Sequence, residues 1–248
     1  MENKSIPNSL FFIGAFLLLF FFSCELKTRT PDFGAIQDTD TQKIEFFSYL
    51  SPMVEKENSR IRKQRELLLR VYQNVEENSG ISWWDRRWLD TLAEEYDVAM
   101  GKSPDAAAWK LFLRRVDTVP LELALAQAAI ESAWGTSRFA MQGNNFFGEH
   151  CESEGCGIIP DARTEGHTWE VEAFASVEES IRSYIHNLNT NNAYSDLRRL
   201  RSKMRSSGKI PDGSALATAL HSYSERGGDY IQDVQNMIYA NRELMGEL

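Results

Sequence analysis

Residues 121–134 constrain the fold of this chain more than any other stretch. Leu121, Leu125, Ala128, Ala129 and Ala133 recur close to the 3.6-residue period of an α-helix. Thr118 suits an N-cap, Pro120 the first turn and Gly135 the stop. Ala126, Ala128, Ala129 and Ala133 keep the helix surface small, so another element can approach its backbone closely. One carboxylate, Glu131, stands in the last turn of this crowded helix. The negative end of the helix dipole opposes its ionisation. Ile130 and Trp134 would desolvate it further, and both effects push its pKa upward. A carboxyl group held protonated near neutral pH is what a general acid needs to protonate a glycosidic oxygen. On spacing alone, an ordinary surface glutamate at a helix end is the simpler account. Ser132 lacks a Gly-x-Ser-x-Gly elbow and none of the four histidines has supporting context, so a serine nucleophile is not expected.

A glycine-flanked aromatic loop follows, Gly143-Asn144-Asn145-Phe146-Phe147-Gly148. Upstream, residues 42–100 read as helices. Residues 55–71 carry mixed charge and a leucine run. Residues 83–100 follow a capping signal, Ser82 with Asp85, and Gly101 would stop them. Ser103-Pro104 opens another helix through Val116. Trp83, Trp84, Trp88 and Tyr96 read mostly as helix-packing core rather than as a sugar platform. Between Gly148 and Phe174, several glycines, Pro160 and the alternation through Trp169 and Val171 predict a small β-hairpin or loop lobe. Ser176 with Glu179 makes a capping box, and Val177, Ile181, Tyr184, Ile185 and Leu188 form a helical face. Residues 194–204, 214–223 and 231–247 complete a mainly α (α+β) fold. The basic run from Arg198 to Arg205 reads as the solvated face of a helix.

Residues 10–22 carry no charge. A helix of that length rises about 20 Å, short of the roughly 30 Å hydrocarbon core. With Lys4 before it, the stretch reads as a signal-peptide hydrophobic region. Ser23-Cys24 resembles the end of a bacterial lipoprotein signal, with Phe21 and Phe22 departing from the usual residues there. Lipidated Cys24 would hold the mature chain to a membrane. Residues 25–40 are polar and aperiodic and read as a tether. The expected order is thus a signal at 1–23, a tether at 24–41, an N-terminal helical segment at 42–101 and a catalytic domain at 102–248. The net charge of −9 argues against nucleic acid as a partner. Of three cysteines, lipidation of Cys24 leaves Cys151 and Cys156 as a pair, and an exported chain sits in a disulfide-permissive compartment. A metal site built on His150 lacks further ligands at recognisable spacing, so no metal is expected.

Gln127-Ala128-Ala129-Ile130-Glu131-Ser132-Ala133-Trp134-Gly135, followed by Asn144-Asn145-Phe146-Phe147-Gly148, resembles the active-site helix and loop of bacterial N-acetylglucosaminidase domains, related to flagellar and autolysin peptidoglycan hydrolases. Their pattern has Gly where Ala133 stands and Leu where Phe146 stands. The runs from Phe174 to Asn191, from Tyr223 to Tyr230 and from Phe46 to Asn58 resemble the Bax subgroup of that family, so the likeness spans about residues 42–245. The resemblance implies a lysozyme-like helical domain with a small β lobe, no cofactor, and peptidoglycan glycan strands as partner. It maps the general acid onto Glu131 and a family tyrosine onto Tyr223. Trp134, Asn145, Phe146 and Phe147 would line the sugar cleft. A second carboxylate, expected for most glycoside hydrolysis, best matches Glu165, with Glu170, Glu172 and Asp161 competing; the substrate's own acetamido group is the other route. A muramidase or lytic transglycosylase is a competing reading, although the Gly-Leu-Met-Gln-type continuation of those enzymes is absent. A non-catalytic glycan-binding scaffold is another.

Overall fold

The computed structural model describes residues 30–246, apart from Asn78, Ser103, Ala162, Thr164, Glu165 and His167. Among these described residues ten α-helices and three short strands follow in order: α1 Thr39–Glu76, α2 Trp83–Glu95, α3 Ala106–Arg115, α4 Leu121–Glu131, α5 Arg138–Gly143, β1 His150–Cys151, β2 Gly157–Ile158, β3 Glu170–Glu172, α6 Val177–Thr190, α7 Ser195–Ser206, α8 Gly213–Ala217, α9 Gly228–Ala240 and α10 Arg242–Gly246. The fold is the mainly helical, lysozyme-like one expected, with a small β lobe.

Helix α4 is its axle. Residues Leu123 to Ala129 are all buried, so this helix is enclosed around its whole circumference, with Gln127 the one polar side chain in the run. Its alanines let α1, α8, α9 and α10 pack against it. It starts at Pro120 without a side-chain cap; Thr118, the expected cap, instead accepts from Arg205 Nη2 at 3.1 Å. Helix α1 runs unbroken for 38 residues and carries Pro52 inside it. It buries Phe46, Phe47, Leu50, Val54, Ile61, Leu68 and Val71, a stripe at three- and four-residue spacing.

Several boundaries move. Ser82 caps α2 as predicted, but α2 stops at Glu95, because Asp97 turns left-handed at φ +51°. Asp105, not Ser103-Pro104, caps α3. The helix expected at 214–223 spans only Gly213–Ala217. Within the stretch 24–41 expected as a tether, Phe33 is buried at 1% exposure and α1 begins at Thr39. Trp83 and Trp84 are exposed at 63% and 75%, so neither is core, while Tyr96 is buried.

The basic run on α7 is the largest correction. Arg198 and Arg201 are buried. Arg201 donates to the Thr118 and Arg114 carbonyls at 2.9 Å each and to Asn189 Oδ1 at 2.6 Å. Asp117, also buried, accepts from Arg205 Nε at 2.6 Å and lies 3.6–3.7 Å from Arg65 and Arg201. This network ties α1 and α7 to the loop that leads into α4.

In the β lobe, β3 is the central strand, antiparallel to β1 and β2, with His150 opposite Val171 and Gly157 opposite Glu172. Cys151 and Cys156 form a disulfide, as the cysteine count suggested. No helix among the described residues is long and apolar enough to cross a membrane. Cys24 and the signal lie outside the described residues.

Candidate active site

Glu131 is the last residue of α4, and the chain turns sharply after it. Ser132 is fully buried; its hydroxyl donates to the Ala128 carbonyl at 2.6 Å and accepts from Gly135 N–H at 2.8 Å. Both contacts hold the turn. Ala133, Trp134 and Gly135 then adopt three consecutive left-handed conformations, φ +49°, +58° and +75°. Trp134 N–H donates to the Ala129 carbonyl at 2.9 Å and Ser137 N–H to the Ser132 carbonyl at 2.9 Å, closing the turn. Trp134 is half-buried, its indole packed edge-on against Phe46 and Phe47.

The aromatic loop does not line a cleft in the expected way. Asn145 is buried and serves as the hub of the β lobe. Its amide donates to the Glu149 and Glu172 carbonyls at 2.9 Å each, and its oxygen accepts from Phe147 and Glu149 N–H at 3.3 and 3.2 Å. Phe146 and Phe147 are core residues, buried at 0% and 2% exposure, so they have no free ring face to offer a sugar. Phe147 stacks on Tyr184, centroids 4.0 Å apart. The residue that does face the acid is Gly148, at φ +69°: a Cβ there would stand 3.4 Å from Glu131 Oε2. Glycine thus keeps the backbone bare beside the carboxyl.

Burial raises the Glu131 pKa; a hydrogen bond from Tyr230 and the charge of Arg226 oppose that rise. Tyr230 belongs to a chain of buried donors. Tyr184 O–H donates to Gln127 Oε1 at 2.7 Å, and Gln127 Nε2 donates to the Tyr230 oxygen at 3.0 Å. The Tyr230 proton is thereby left for Glu131. Tyr223 stacks on Tyr230 at 5.4 Å, and its hydroxyl donates to the Phe147 carbonyl at 3.0 Å, so it fixes the loop in front of the acid.

The competing carboxylates separate by environment. Glu165 lies outside the described residues. Asp161 is solvent-exposed and pairs with Arg138. Glu170 accepts from Gly155 and Gly157 N–H at 3.1 and 2.8 Å, which lowers its pKa and pins the disulfide loop. Glu172, half-buried on β3, is raised by burial. Glu149 was not anticipated. Burial raises its pKa, while its carboxylate accepts from Ser183 and from Asn187, the latter at 2.8 Å. It fastens the β lobe to α6. Sequence reasoning also missed Gln127 and Tyr230. Gln127 had a signal, since a residue four before Glu131 shares its helix face. Among the described residues no cluster of three or more His, Cys, Asp or Glu side chains could hold a metal ion.

A family model described as mannosyl-glycoprotein endo-beta-N-acetylglucosaminidase matches residues 106–243, more than half of the chain. The chain belongs to the glucosaminidase family. It is 30% identical over 220 residues to Protein bax of Escherichia coli strain K12, covering 88% of this chain and 77% of that protein, so it is a Bax-like glucosaminidase-family protein. No solved structure matches it. The family model opens at α3, whereas the likeness to Protein bax is longer than everything from α3 onward and so includes part of the N-terminal helices.

Where the glucosaminidase pattern has Gly, this chain holds Ala133 at φ +49°. A Cβ in that region costs about 1 kcal/mol. Ala133→Gly is therefore expected to raise stability by about 1 kcal/mol, or about 3 °C in melting temperature. An unchanged or lower melting temperature would show that the turn carries no such strain.

Proposed function

We propose that this protein is a peptidoglycan hydrolase, an endo-β-N-acetylglucosaminidase that cleaves the GlcNAc-β-1,4-MurNAc bond with Glu131 as general acid. One observation carries the reading: a carboxyl group, raised in pKa by burial, ends a buried helix and faces the bare backbone of Gly148. Glu131 donates its proton to the glycosidic oxygen as the bond to the anomeric carbon breaks. Positive charge then develops on the sugar ring. Water completes the hydrolysis, activated either by a second carboxylate or after attack by the substrate's acetamido oxygen. Glu165 is the second carboxylate of this reading and Glu172 its competitor. Tyr230 holds one oxygen of Glu131, which orients the protonated one; Tyr223 positions the loop that substrate meets. Trp134 remains the one aromatic of the expected cleft set with an accessible part. A disulfide in the β lobe supports an exported chain. We assign its anchor to lipidated Cys24.

The test is incubation with purified peptidoglycan, borohydride reduction of the new ends and mass spectrometry. Reduced glucosamine ends are the expected product. Reduced or anhydro-muramic ends would make the protein a muramidase or transglycosylase instead. Binding without new ends would leave a scaffold.

A further inference from the structure

The turn after Glu131 is held from outside residues 106–243. Phe33 lies in a short 3-10 turn before α1 and is buried. A Cβ on Gly135 would stand 2.4 Å from its Cδ2 and 2.9 Å from its Cε2, so the Phe33 ring fills the space that the glycine leaves. The ring meets Phe46 edge-on at 5.4 Å and Tyr49 at 5.9 Å, and the Phe33 carbonyl accepts from Gln42 Nε2 at 2.8 Å. The neighbouring Trp134 indole is gripped by the same segment. Phe46 and Phe47 approach edge-on at 5.4 and 5.3 Å, and Lys43 Nζ sits 5.9 Å from the ring centroid. Left-handed backbone at two successive non-glycine residues persists only where the surroundings over-determine it. Here those surroundings are the turn's own hydrogen bonds, Phe146 at 3.3 Å from the Gly135 Cβ position, and residues 33–47 from outside.

We propose that Phe33, backed by Phe46 and Phe47, is a positioning wedge for Glu131, so that the working unit of this protein reaches back to residue 33. The proposal rests on Glu131 being the acid. Without the wedge, the turn at 133–135 relaxes and the last turn of α4 frays. Water then reaches Glu131 and removes the burial that favours its protonated form. The groups facing Glu131 stay in place: Tyr230 on α9, Arg226 and Tyr223 before it, Tyr184 on α6 and Tyr194 before α7. Lys43, on α1 above Trp134, loosens with the segment.

The experiment compares Phe33→Ala, Phe33→Leu and Val71→Ala in the full chain. Val71 is buried on α1 well along from the turn and serves as the control for general destabilisation. Phe33→Ala is expected to lower kcat by about 10–100-fold with little change in KM, and to move the basic limb of the pH–rate profile to lower pH. Phe33→Leu should recover most of the rate. Val71→Ala should lower the melting temperature without moving the limb. Carbon-13 NMR titration of the Glu131 carboxyl in wild type and Phe33→Ala gives a readout independent of turnover. A lower titration midpoint in the variant supports the wedge even if the wild type cleaves no glycan, in which case the functional reading alone fails. An unchanged midpoint and rate in Phe33→Ala, or the same shift in Val71→Ala, overturns the wedge.

Discussion

Glu131→Gln is expected to lower glycan cleavage by about 10³-fold while leaving the protein folded and no less stable at neutral pH. The amide keeps the size of the carboxyl and can still accept from Tyr230, but it has no proton to give. The stability half of the expectation follows from linkage. Burial raises the folded-state pKa of Glu131 above its ordinary value of 4.5. The folded chain therefore binds that proton more tightly than the unfolded chain does. The stability this contributes is fully present below the ordinary carboxyl range and is lost as pH rises through the raised pKa. A neutral glutamine escapes that loss. Melting curves of the variant should match or exceed wild type at pH 7 and converge with it near pH 4. On the proposed mechanism the same proton governs rate, so wild-type activity is expected to fall on the alkaline side as Glu131 ionises. Cleavage retained in Glu131→Gln would sink the mechanism, and a variant that fails to melt cooperatively would return the residue to a structural role.

Asp117→Asn is expected to cost about 3–5 kcal/mol, seen as a fall of about 10 °C in melting temperature. Burial alone would raise the Asp117 pKa; Arg201, the hydrogen bond from Arg205, and Arg65 overcome this and hold it below the usual carboxylate value. Removing the charge leaves three guanidinium groups around an uncharged amide. Arg201 is the worst placed of them: it is fully buried, and desolvation has already brought its pKa down to about 10. The pH dependence has the sign opposite to that of Glu131. Stability from Asp117 is present above the ordinary carboxylate range and is lost as pH falls through the lowered pKa. Wild type and Asp117→Asn should therefore approach each other in strong acid. A variant that melts within a degree or two of wild type at pH 7 would show that the arginines are satisfied by carbonyls alone.

The legible parts of this chain are those whose physics is local. Ser82 and Ser176 cap their helices because a side-chain oxygen three residues from a free N–H needs no distant partner. The alanines of α4 announced a buried helix because small size has one structural use there. Cys151 and Cys156 are five residues apart and paired as expected. What stayed hidden depended on residues far along the chain. Arg198 and Arg201 have the spacing of a solvated helix face, and distant partners make that face interior: the Leu188 and Asn191 carbonyls for Arg198, and Asp117, Thr118, Asn189 and the end of α3 for Arg201. Asn145, Phe146 and Phe147 sit in a motif, and a motif does not distinguish side chains that touch a ligand from those that hold the loop that does. Phe33 stands in a polar, aperiodic stretch, and its partner Gly135 lies about a hundred residues away. Glu149 had no pattern around it; its donors Ser183 and Asn187 come from a helix beyond the whole β lobe.

The β lobe has strands of two or three residues and, among its described residues, one buried apolar side chain, Val171. Strands that short do not hold themselves. Their rigidity comes instead from the Cys151–Cys156 bridge, the two amides that Glu170 gathers and the side chain of Asn145. Only the first of these is conditional. Newly made polypeptide with free thiols would carry its acid opposite a slack wall, and the wall would tighten once the chain meets an oxidant. On the proposed reading of an exported chain, that tightening takes place after export, in an oxidising compartment rather than where the chain is made.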